Sequence, residues 1–166
     1  VYAAISWAQS VGLRDRPSAE LIFRTPSLRW SILGFAFLAF NGYGLGFWLS
    51  PFFARVHELP LGRVGFLVGG ASALGGWIGV TFGGLLADRL RRTSPNGRLT
   101  VGMLNATIPI PFAIGVLWVQ NTNVALLLSL PLLTSMALWL GPGASTIQAL
   151  VLPRMRAVAS AAYLLV

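Results

Sequence analysis

The sequence predicts an all-α fold, a polytopic bundle of membrane-spanning helices, from its composition and from the distribution of its charges. Hydrophobic residues make up 55% of the 166 residues, and charged residues only 10%, whereas an average soluble domain carries roughly 25% charged residues. The twelve basic residues are all arginines, and the net charge is +8. So few charges cannot cover the surface of a soluble globule this apolar, which argues against a soluble enzyme domain or a disordered tail.

Four long segments of the chain carry no charged residue: residues 30–54, 64–87, 99–119 and 124–150. Each has at least 21 residues, and about 20 helical residues cross a hydrocarbon core of about 30 Å. An arginine at the centre of such a helix costs roughly 2.5 to 3.5 kcal/mol, and all the arginines lie outside the four segments. The alternative is four buried helices of a large soluble protein, but no amphipathic stretch remains to cover them. We therefore predict four complete transmembrane helices.

The two ends of the chain are apolar but too short to cross a membrane. We expect residues 1–8 to be the tail of a preceding transmembrane helix and residues 157–166 to be the start of a further one. Residues 9–29 are then a central loop, and residues 30–166 form one transmembrane bundle.

The arginines predict the orientation of the bundle. Arg55 and Arg63 fall between the first two segments, and the third connection has no arginine. The other ten arginines fall on the opposite side: Arg14, Arg16, Arg24, Arg29, Arg89, Arg91, Arg92, Arg98, Arg154 and Arg156. By the positive-inside rule, we expect residues 9–29 and 88–98 to be cytoplasmic. Because every basic residue is arginine, a bias typical of some bacterial genomes, we expect the membrane to be a bacterial inner membrane. Basic residues confined to helix ends form no continuous face, so nucleic acid is not an expected partner.

Helix breakers and polar or aromatic side chains cluster near the middle of all four segments. Secondary transporters build substrate sites at this depth, because freed backbone groups are tolerated there only beside a cavity or other protein. Five residues are candidates to line such a cavity: Asn41, Tyr43, Trp48, Asn105 and Trp139. The amides can hydrogen-bond a polar group, and the rings can pack against an apolar body or a cation. Helix packing is the alternative for each of the five, and it is the favoured interpretation for Trp48 and Asn105. The helix breakers also have an alternative, because glycine and proline are common in membrane helices.

The second segment carries a stripe of small residues at intervals of four. Its members are Ala71, Gly75, Gly79, Gly83 and Ala87. Four-residue spacing places them on one helix face, where they permit close approach of a neighbouring helix. We expect a packing surface.

The residues for catalysis or metal binding are missing from this sequence. It has no cysteine and one histidine, His57, which we expect to be an ordinary solvated side chain in a loop. No Asp or Glu lies inside a segment, so a carboxylate that couples transport to protons is expected elsewhere in the protein. We predict no catalytic residue, metal site or cofactor, and hence no enzyme.

A signature follows the second segment, where Gly84, Asp88, Arg89 and Arg92 stand at the spacing of a known motif. It resembles motif A of the major facilitator superfamily, with Arg91 where the motif has glycine. The resemblance implies a cytoplasmic gate, in which the carboxylate binds the positive N-terminus of a neighbouring helix and the arginines hold one state. The alternative is an Asp and several Arg that only mark a membrane boundary.

Two further stretches resemble bacterial Spinster-like members of that superfamily. Residues 47–53 look like their seventh helix, and residues 141–143 with 152–161 look like the end of the tenth and start of the eleventh. The resemblance implies the C-terminal half of a secondary transporter that works by alternating access on a small organic, amphiphilic or lipid-like solute. Its partners are then the lipid bilayer and the N-terminal half of the same transporter. A channel or a scaffold subunit is the alternative.

Overall fold

The computed structural model describes residues 24–94 and 96–165, together with residues 6, 9, 10, 12, 13, 17 and 20. The predicted tail at residues 1–8 and the predicted loop at residues 9–29 lie mostly outside the described residues. Seven α-helices follow from residue 26 onward: α1 Pro26–Val56, α2 Leu61–Thr93, α3 Gly97–Thr107, α4 Pro109–Trp118, α5 Thr122–Met136, α6 Leu140–Ala149 and α7 Arg156–Leu165. A 3₁₀ turn at Pro153–Met155 precedes α7.

The four predicted spans are confirmed as long apolar helices or helix pairs. They are Pro26–Val56, Leu61–Thr93, Gly97–Trp118 and Thr122–Ala149. The 31 residues of α1 extend beyond both ends of the uncharged segment, because absence of charge marks the hydrocarbon core, whereas a helix continues into the headgroup region. At 1.5 Å per residue α1 is about 46 Å long, more than the core of about 30 Å. The all-helical, polytopic membrane fold is therefore confirmed.

The third span is interrupted at Ile108, between α3 and α4. Pro109 and Pro111 have no backbone N–H, so the carbonyls of Asn105 and Thr107 lose their usual helical partners. Ile108 itself keeps right-handed helical angles, with φ −60° and ψ −39°, and its N–H donates to the Leu104 carbonyl over 2.8 Å. The chain therefore continues in one direction, and α3 and α4 form a single span.

The fourth span is interrupted more strongly, at residues 137–139 between α5 and α6. Here the hydrogen bonds shorten to the i−3 pattern, with Ala137 N–H donating to the Thr134 carbonyl (3.2 Å) and Leu138 N–H to the Ser135 carbonyl (3.3 Å). Pro142 has no N–H with which to continue the helix to the Leu138 carbonyl. The break thus frees backbone groups inside an apolar span.

The chain divides into two compact units by its internal contacts. One comprises residues 1–37 and 143–166, and the other residues 38–142. In the first unit, apolar side chains at the start of α1 belong to one core with side chains from α6, the 3₁₀ turn and α7. This core contains Leu28, Ile32, Ile147, Val151, Met155, Ala159 and Ala162, and Phe35 meets Tyr163 edge to face with ring centroids 6.2 Å apart.

The second unit holds the remainder of α1 together with α2 to α5. Helix α2 packs chiefly on α5, α4 packs on α5, and α3 packs on α2. Its core contains Leu49, Phe53, Val64, Val68, Val116, Ala125, Leu132 and Met136. These residues come from α1, α2, α4 and α5, so burial of one apolar cluster holds the four helices together.

Most of the apolar surface of the spans is not buried within the structure. Only 17% of the most hydrophobic window is buried in Pro26–Val56, and 44% in Thr122–Ala149. Large side chains such as Phe40, Phe66 and Trp118 point outward. In water such a surface would drive aggregation. The helices therefore contact the lipid bilayer.

Candidate functional site

The glycines of the stripe on α2 contact the fourth span where it is interrupted. A Cβ added at Gly75 would lie 3.0 Å from the backbone nitrogen of Thr134. One added at Gly79 would overlap the Thr134 carbonyl oxygen and lie 2.7 Å from the Ala137 Cβ. The two backbones approach this closely because neither glycine has a side chain.

The stripe continues along the break. A Cβ at Gly83 would overlap the carbonyl oxygen of Leu138, and one at Gly141 would lie 3.9 Å from the Cα of Gly84. The Leu138 carbonyl, which has no helical partner, therefore lies directly against the bare backbone of α2. A contact from Cα–H to a carbonyl oxygen is a weak hydrogen bond, of a kind that recurs between closely packed helices. Of the five stripe residues, Gly75, Gly79, Gly83 and Ala87 are buried and Ala71 is half-buried.

Asn105 supports the same break from α3. The side chain is 3% exposed, and its Nδ2 donates to the carbonyls of Ser135 (2.6 Å) and Met136 (3.1 Å). The opposite amide orientation would set Oδ1 against two carbonyl oxygens, so the hydrogen-bonding partners assign the amide. Asn105 thus donates to two carbonyls at the C-terminal end of α5, of which that of Ser135 also accepts from the Leu138 N–H.

The hydroxyls of α5 are satisfied locally. Ser129 donates to the Leu126 carbonyl over 2.6 Å, and Ser135 donates to the Leu132 carbonyl over 2.8 Å. Hydroxyl donation to a carbonyl of the preceding turn is the usual arrangement for serine inside a helix. These side chains therefore need no partner from another helix.

An apolar cleft of about 270 Å³ opens beside the break, between α1, α2 and α5. Two aromatic residues line it: Tyr43 on α1, with 76% of its surface exposed, and Trp139 in the break, with 8% exposed. Its remaining lining residues are Ala39, Gly42, Ser72, Gly76, Leu133, Met136, Ala137 and Leu140. None of the lining residues is charged, so the cleft suits an apolar or aromatic group rather than an ion.

The structure brings together two of the five residues predicted to line a cavity, Tyr43 and Trp139. Asn41 is exposed and is not among the lining residues of the cleft. Trp48 lies instead in a second groove, between α1 and α4. Asn105 is not among the lining residues either, because its buried side chain donates to the carbonyls of Ser135 and Met136 at the end of α5.

Eight of the ten lining residues of the cleft were not among the predicted site residues, and they include Gly42, Ser72, Gly76 and Met136. Gly42, Gly76 and Met136 do lie at the predicted middle depth of their spans. Ser72 and Gly76 follow Ala71 and Gly75 of the stripe by one position each, so they form the adjacent row of the same helix. Ser72 could therefore have been predicted from its position in the row of residues next to the stripe.

The motif at Gly84, Asp88, Arg89 and Arg92 lies within α2 and not in a loop. The helix continues to Thr93, because Arg91 replaces the glycine that would end it and arginine is a good helix former. Within residues 24–94 and 96–165, Asp88 has no salt bridge within 4.0 Å. Its side chain and those of Arg89 and Arg92 are exposed.

His57 is more enclosed than the solvated side chain that the sequence suggests. Its Nδ1 lies 3.1 Å from the Thr122 hydroxyl at the start of α5. Its ring contacts those of Phe52 and Phe53, with centroids 5.5 Å and 5.3 Å away. The connection after α1 and the start of α5 therefore lie on the same side of the bundle, as alternating spans require.

Among the residues that the structure describes, no group of three or more His, Asp or Glu side chains is placed to hold a metal ion. The arrangement offers instead an interrupted helix, an apolar cleft and close backbone packing.

One curated relative was found. Over 146 residues, 86% of its length, the chain is 33% identical to a protein of Mycolicibacterium smegmatis (strain ATCC 700084 / mc(2)155) named MFS-type efflux pump. The chain covers 33% of that relative, about a third of its length. No protein-family model and no solved structure matches the chain. The similarity and the four apolar spans support a membrane transporter rather than an enzyme.

Proposed function

We propose that the chain is the C-terminal half of a secondary transporter of the major facilitator superfamily, which moves a small organic or amphiphilic solute by alternating access. The interrupted fourth span beside an apolar cleft carries this proposal. Discontinuous helices that line a cavity are how such transporters build a site near the bilayer midplane. The similarity to an efflux pump agrees with this role. The resemblance of residues 47–53, and of residues 141–143 with 152–161, favours the Spinster-like subfamily.

The lining of the cleft indicates the class of solute. The rings of Tyr43 and Trp139 offer apolar and aromatic contact, and the hydroxyls of Tyr43 and Ser72 offer hydrogen bonds. No acid or base is present to recognise a strongly charged group. We infer that this half contacts the apolar part of an amphiphile, and that any ion-coupling carboxylate lies in the N-terminal half.

The cytoplasmic gate is assigned to Asp88, Arg89 and Arg92, with residues 9–29 and 88–98 on the cytoplasmic side of a bacterial inner membrane. Exposure of these three side chains leaves them accessible to a helix of the other half. The carboxylate of Asp88 would then face the positive end of a neighbouring helix, and the two arginines would pair with it in one state.

Flux in membrane vesicles that contain the full-length protein tests the proposed function. With the aromatic dye ethidium as the probe, we expect gradient-driven movement that saturates with dye concentration. Flux that rises linearly with concentration would indicate a channel, and no flux above that of empty vesicles would favour a scaffold subunit.

The same assay tests the role of the cleft through Tyr43→Ala. Loss of the ring should raise the KM for ethidium about threefold to tenfold, because an aromatic contact contributes about 0.5 to 1.5 kcal/mol. Phe40→Ala is the matched control, since Phe40 is 79% exposed on the same helix and does not line the cleft. Equal KM values for the two variants would remove Tyr43 from the site.

A further inference from the structure

The groove between α1 and α4 has a different chemistry from the cleft. It has a volume of about 300 Å³, and Leu45, Trp48 and Phe52 of α1 line it with Leu117 of α4. The one charged residue of its lining is Arg55, in the last turn of α1. We propose that this α1–α4 groove binds one anionic phospholipid, with an acyl chain along the apolar floor and the phosphate on Arg55.

The dimensions of the α1–α4 groove fit one leaflet. Leu45 and Val56 mark the two ends of its lining on α1, and they lie about 16 Å apart along the helix axis at 1.5 Å per residue. Half of a hydrocarbon core of about 30 Å is about 15 Å. A groove of this length along a membrane-spanning helix can hold an acyl chain from the headgroup region to the bilayer midplane.

The surface of the groove is open to lipid. Trp48 is 63% exposed and Leu117 is 62% exposed, so large apolar side chains from two helices form its walls without covering it. Pro51 contributes to the lining and, because it has no N–H, leaves the Phe47 carbonyl without its helical partner. An acyl chain in the groove would pack against these apolar side chains through dispersion contacts.

Charge complementarity identifies the headgroup. Arg55 is exposed, and across the described ranges no carboxylate lies within 4.0 Å of its guanidinium. Guanidinium presents a planar fork of N–H donors that matches phosphate oxygens. A phospholipid with net negative charge is therefore favoured over a neutral one, whose ammonium group offsets the attraction of the phosphate. Free phosphate lacks the chain that the groove would hold.

The position of Arg55 is consistent with this assignment. It lies about 10 Å beyond Trp48 along α1, at 1.5 Å per residue. With the guanidinium at the level of the phosphate, the ring of Trp48 would contact the part of the acyl chain that is nearer the bilayer midplane. Arg63, in the first turn of α2, does not line the groove.

Native mass spectrometry of the full-length protein tests the proposal without any transport measurement. After exchange into neutral detergent, the protein is titrated with phosphatidylglycerol and, separately, with phosphatidylcholine. We expect wild-type protein to retain one phosphatidylglycerol with an affinity about fivefold or more above that for phosphatidylcholine. Arg55→Gln should abolish this preference, and Arg63→Gln, as the matched control, should keep it.

A second variant distinguishes the chain from the headgroup. Trp48→Ala should weaken retention of both lipids, because it removes apolar contact and leaves the charge. Melting curves recorded without added lipid should be equal for wild type and all three variants, since the three side chains are exposed. Equal retention of the two lipids by wild type, or an unchanged preference in Arg55→Gln, would overturn the proposal. So would the absence of any retained lipid, which would show that another part of the protein covers the groove.

Discussion

Replacing Gly79 with leucine should reduce the yield of folded protein more than any other single change considered for this chain. A Cβ at this position already overlaps the Thr134 carbonyl oxygen and lies 2.7 Å from the Ala137 Cβ. The obstacle is backbone, which cannot rotate away as a flexible side chain can. Overpacking of this kind costs about 3 kcal/mol or more, so the ratio of folded to unfolded protein should fall about a hundredfold.

The matched control is Gly70→Leu on the same helix. No atom lies within 4 Å of a Cβ added at Gly70, and the side chain would point outward. Leucine is a better helix former than glycine by nearly 1 kcal/mol, so this variant should be neutral or slightly more stable. The measurement is the fraction of monodisperse full-length protein after detergent extraction, followed by its melting temperature. Equal behaviour of the two variants would mean that α2 does not pack on the broken segment.

Substitution of Asn105 should lower the stability of the folded protein, because it removes the side chain that donates to two carbonyls at the end of α5. Asn105→Leu removes the side-chain donor of both carbonyls: Ser135 keeps the Leu138 N–H, whereas Met136 loses its donor, and an unsatisfied buried polar group costs about 1 to 3 kcal/mol. Hydrogen bonds between helices in membranes average about 0.6 kcal/mol, with a maximum near 1.7 kcal/mol. We therefore expect a loss of about 1 to 2 kcal/mol, seen as a lower melting temperature of the purified full-length protein.

An isosteric variant separates the hydrogen bonds from the packing. Asn105→Asp keeps the shape but replaces the Nδ2 donor with an oxygen that faces two carbonyl oxygens. It should lower the melting temperature, because an ionised carboxylate would repel both carbonyl oxygens and a neutral acid can donate to only one of them. Asn41→Leu, at an exposed asparagine, is the control and should leave the melting temperature unchanged. An Asp variant as stable as wild type would contradict the assigned orientation of the amide.

The four spans could be predicted from the sequence because the cost of burying a charge in hydrocarbon is large and local. Each predicted segment falls within a span of the structure, apart from the last residues near Val119 and Leu150. The ends of the helices could not be predicted as well, because a helix such as α1 continues past the first arginine into the headgroup region. Long side chains of arginine reach water from there, so charge does not mark the end of the hydrogen bonding.

The interruption of the fourth span was partly predictable. Helix breakers near the middle of this segment predict a disturbance there, and the structure interrupts the helix at residues 137–139. Proline disturbs the turn that precedes it, because the missing N–H and the ring act on the carbonyl four residues earlier. The position of Pro142 therefore explains an interruption that begins about one turn before it.

The sequence predicted how deep in the membrane the candidate residues lie, but not which neighbouring helix each side chain contacts. Counting residues to the middle of each span placed Tyr43 and Trp139 near the same depth in the membrane, and both line the cleft. Depth alone could not distinguish them from Trp48 and Asn105, because the direction of a side chain around a helix axis depends on which neighbour packs there. The contact of Asn105 with α5 involves residues far apart in the sequence, and no local spacing encodes it.

The side of the membrane on which each connection lies is the most direct test of the account. The chain has no cysteine, so single cysteines at Asn96 and Gln120 can report on it, in full-length protein whose other cysteines have been replaced. We expect a membrane-impermeant maleimide to label Gln120→Cys on intact cells, and to label Asn96→Cys only after the membrane is permeabilised. Labelling of Asn96→Cys from outside, with Gln120→Cys protected, would contradict the proposed orientation, and labelling of both on intact cells would contradict a helix that crosses the membrane between them.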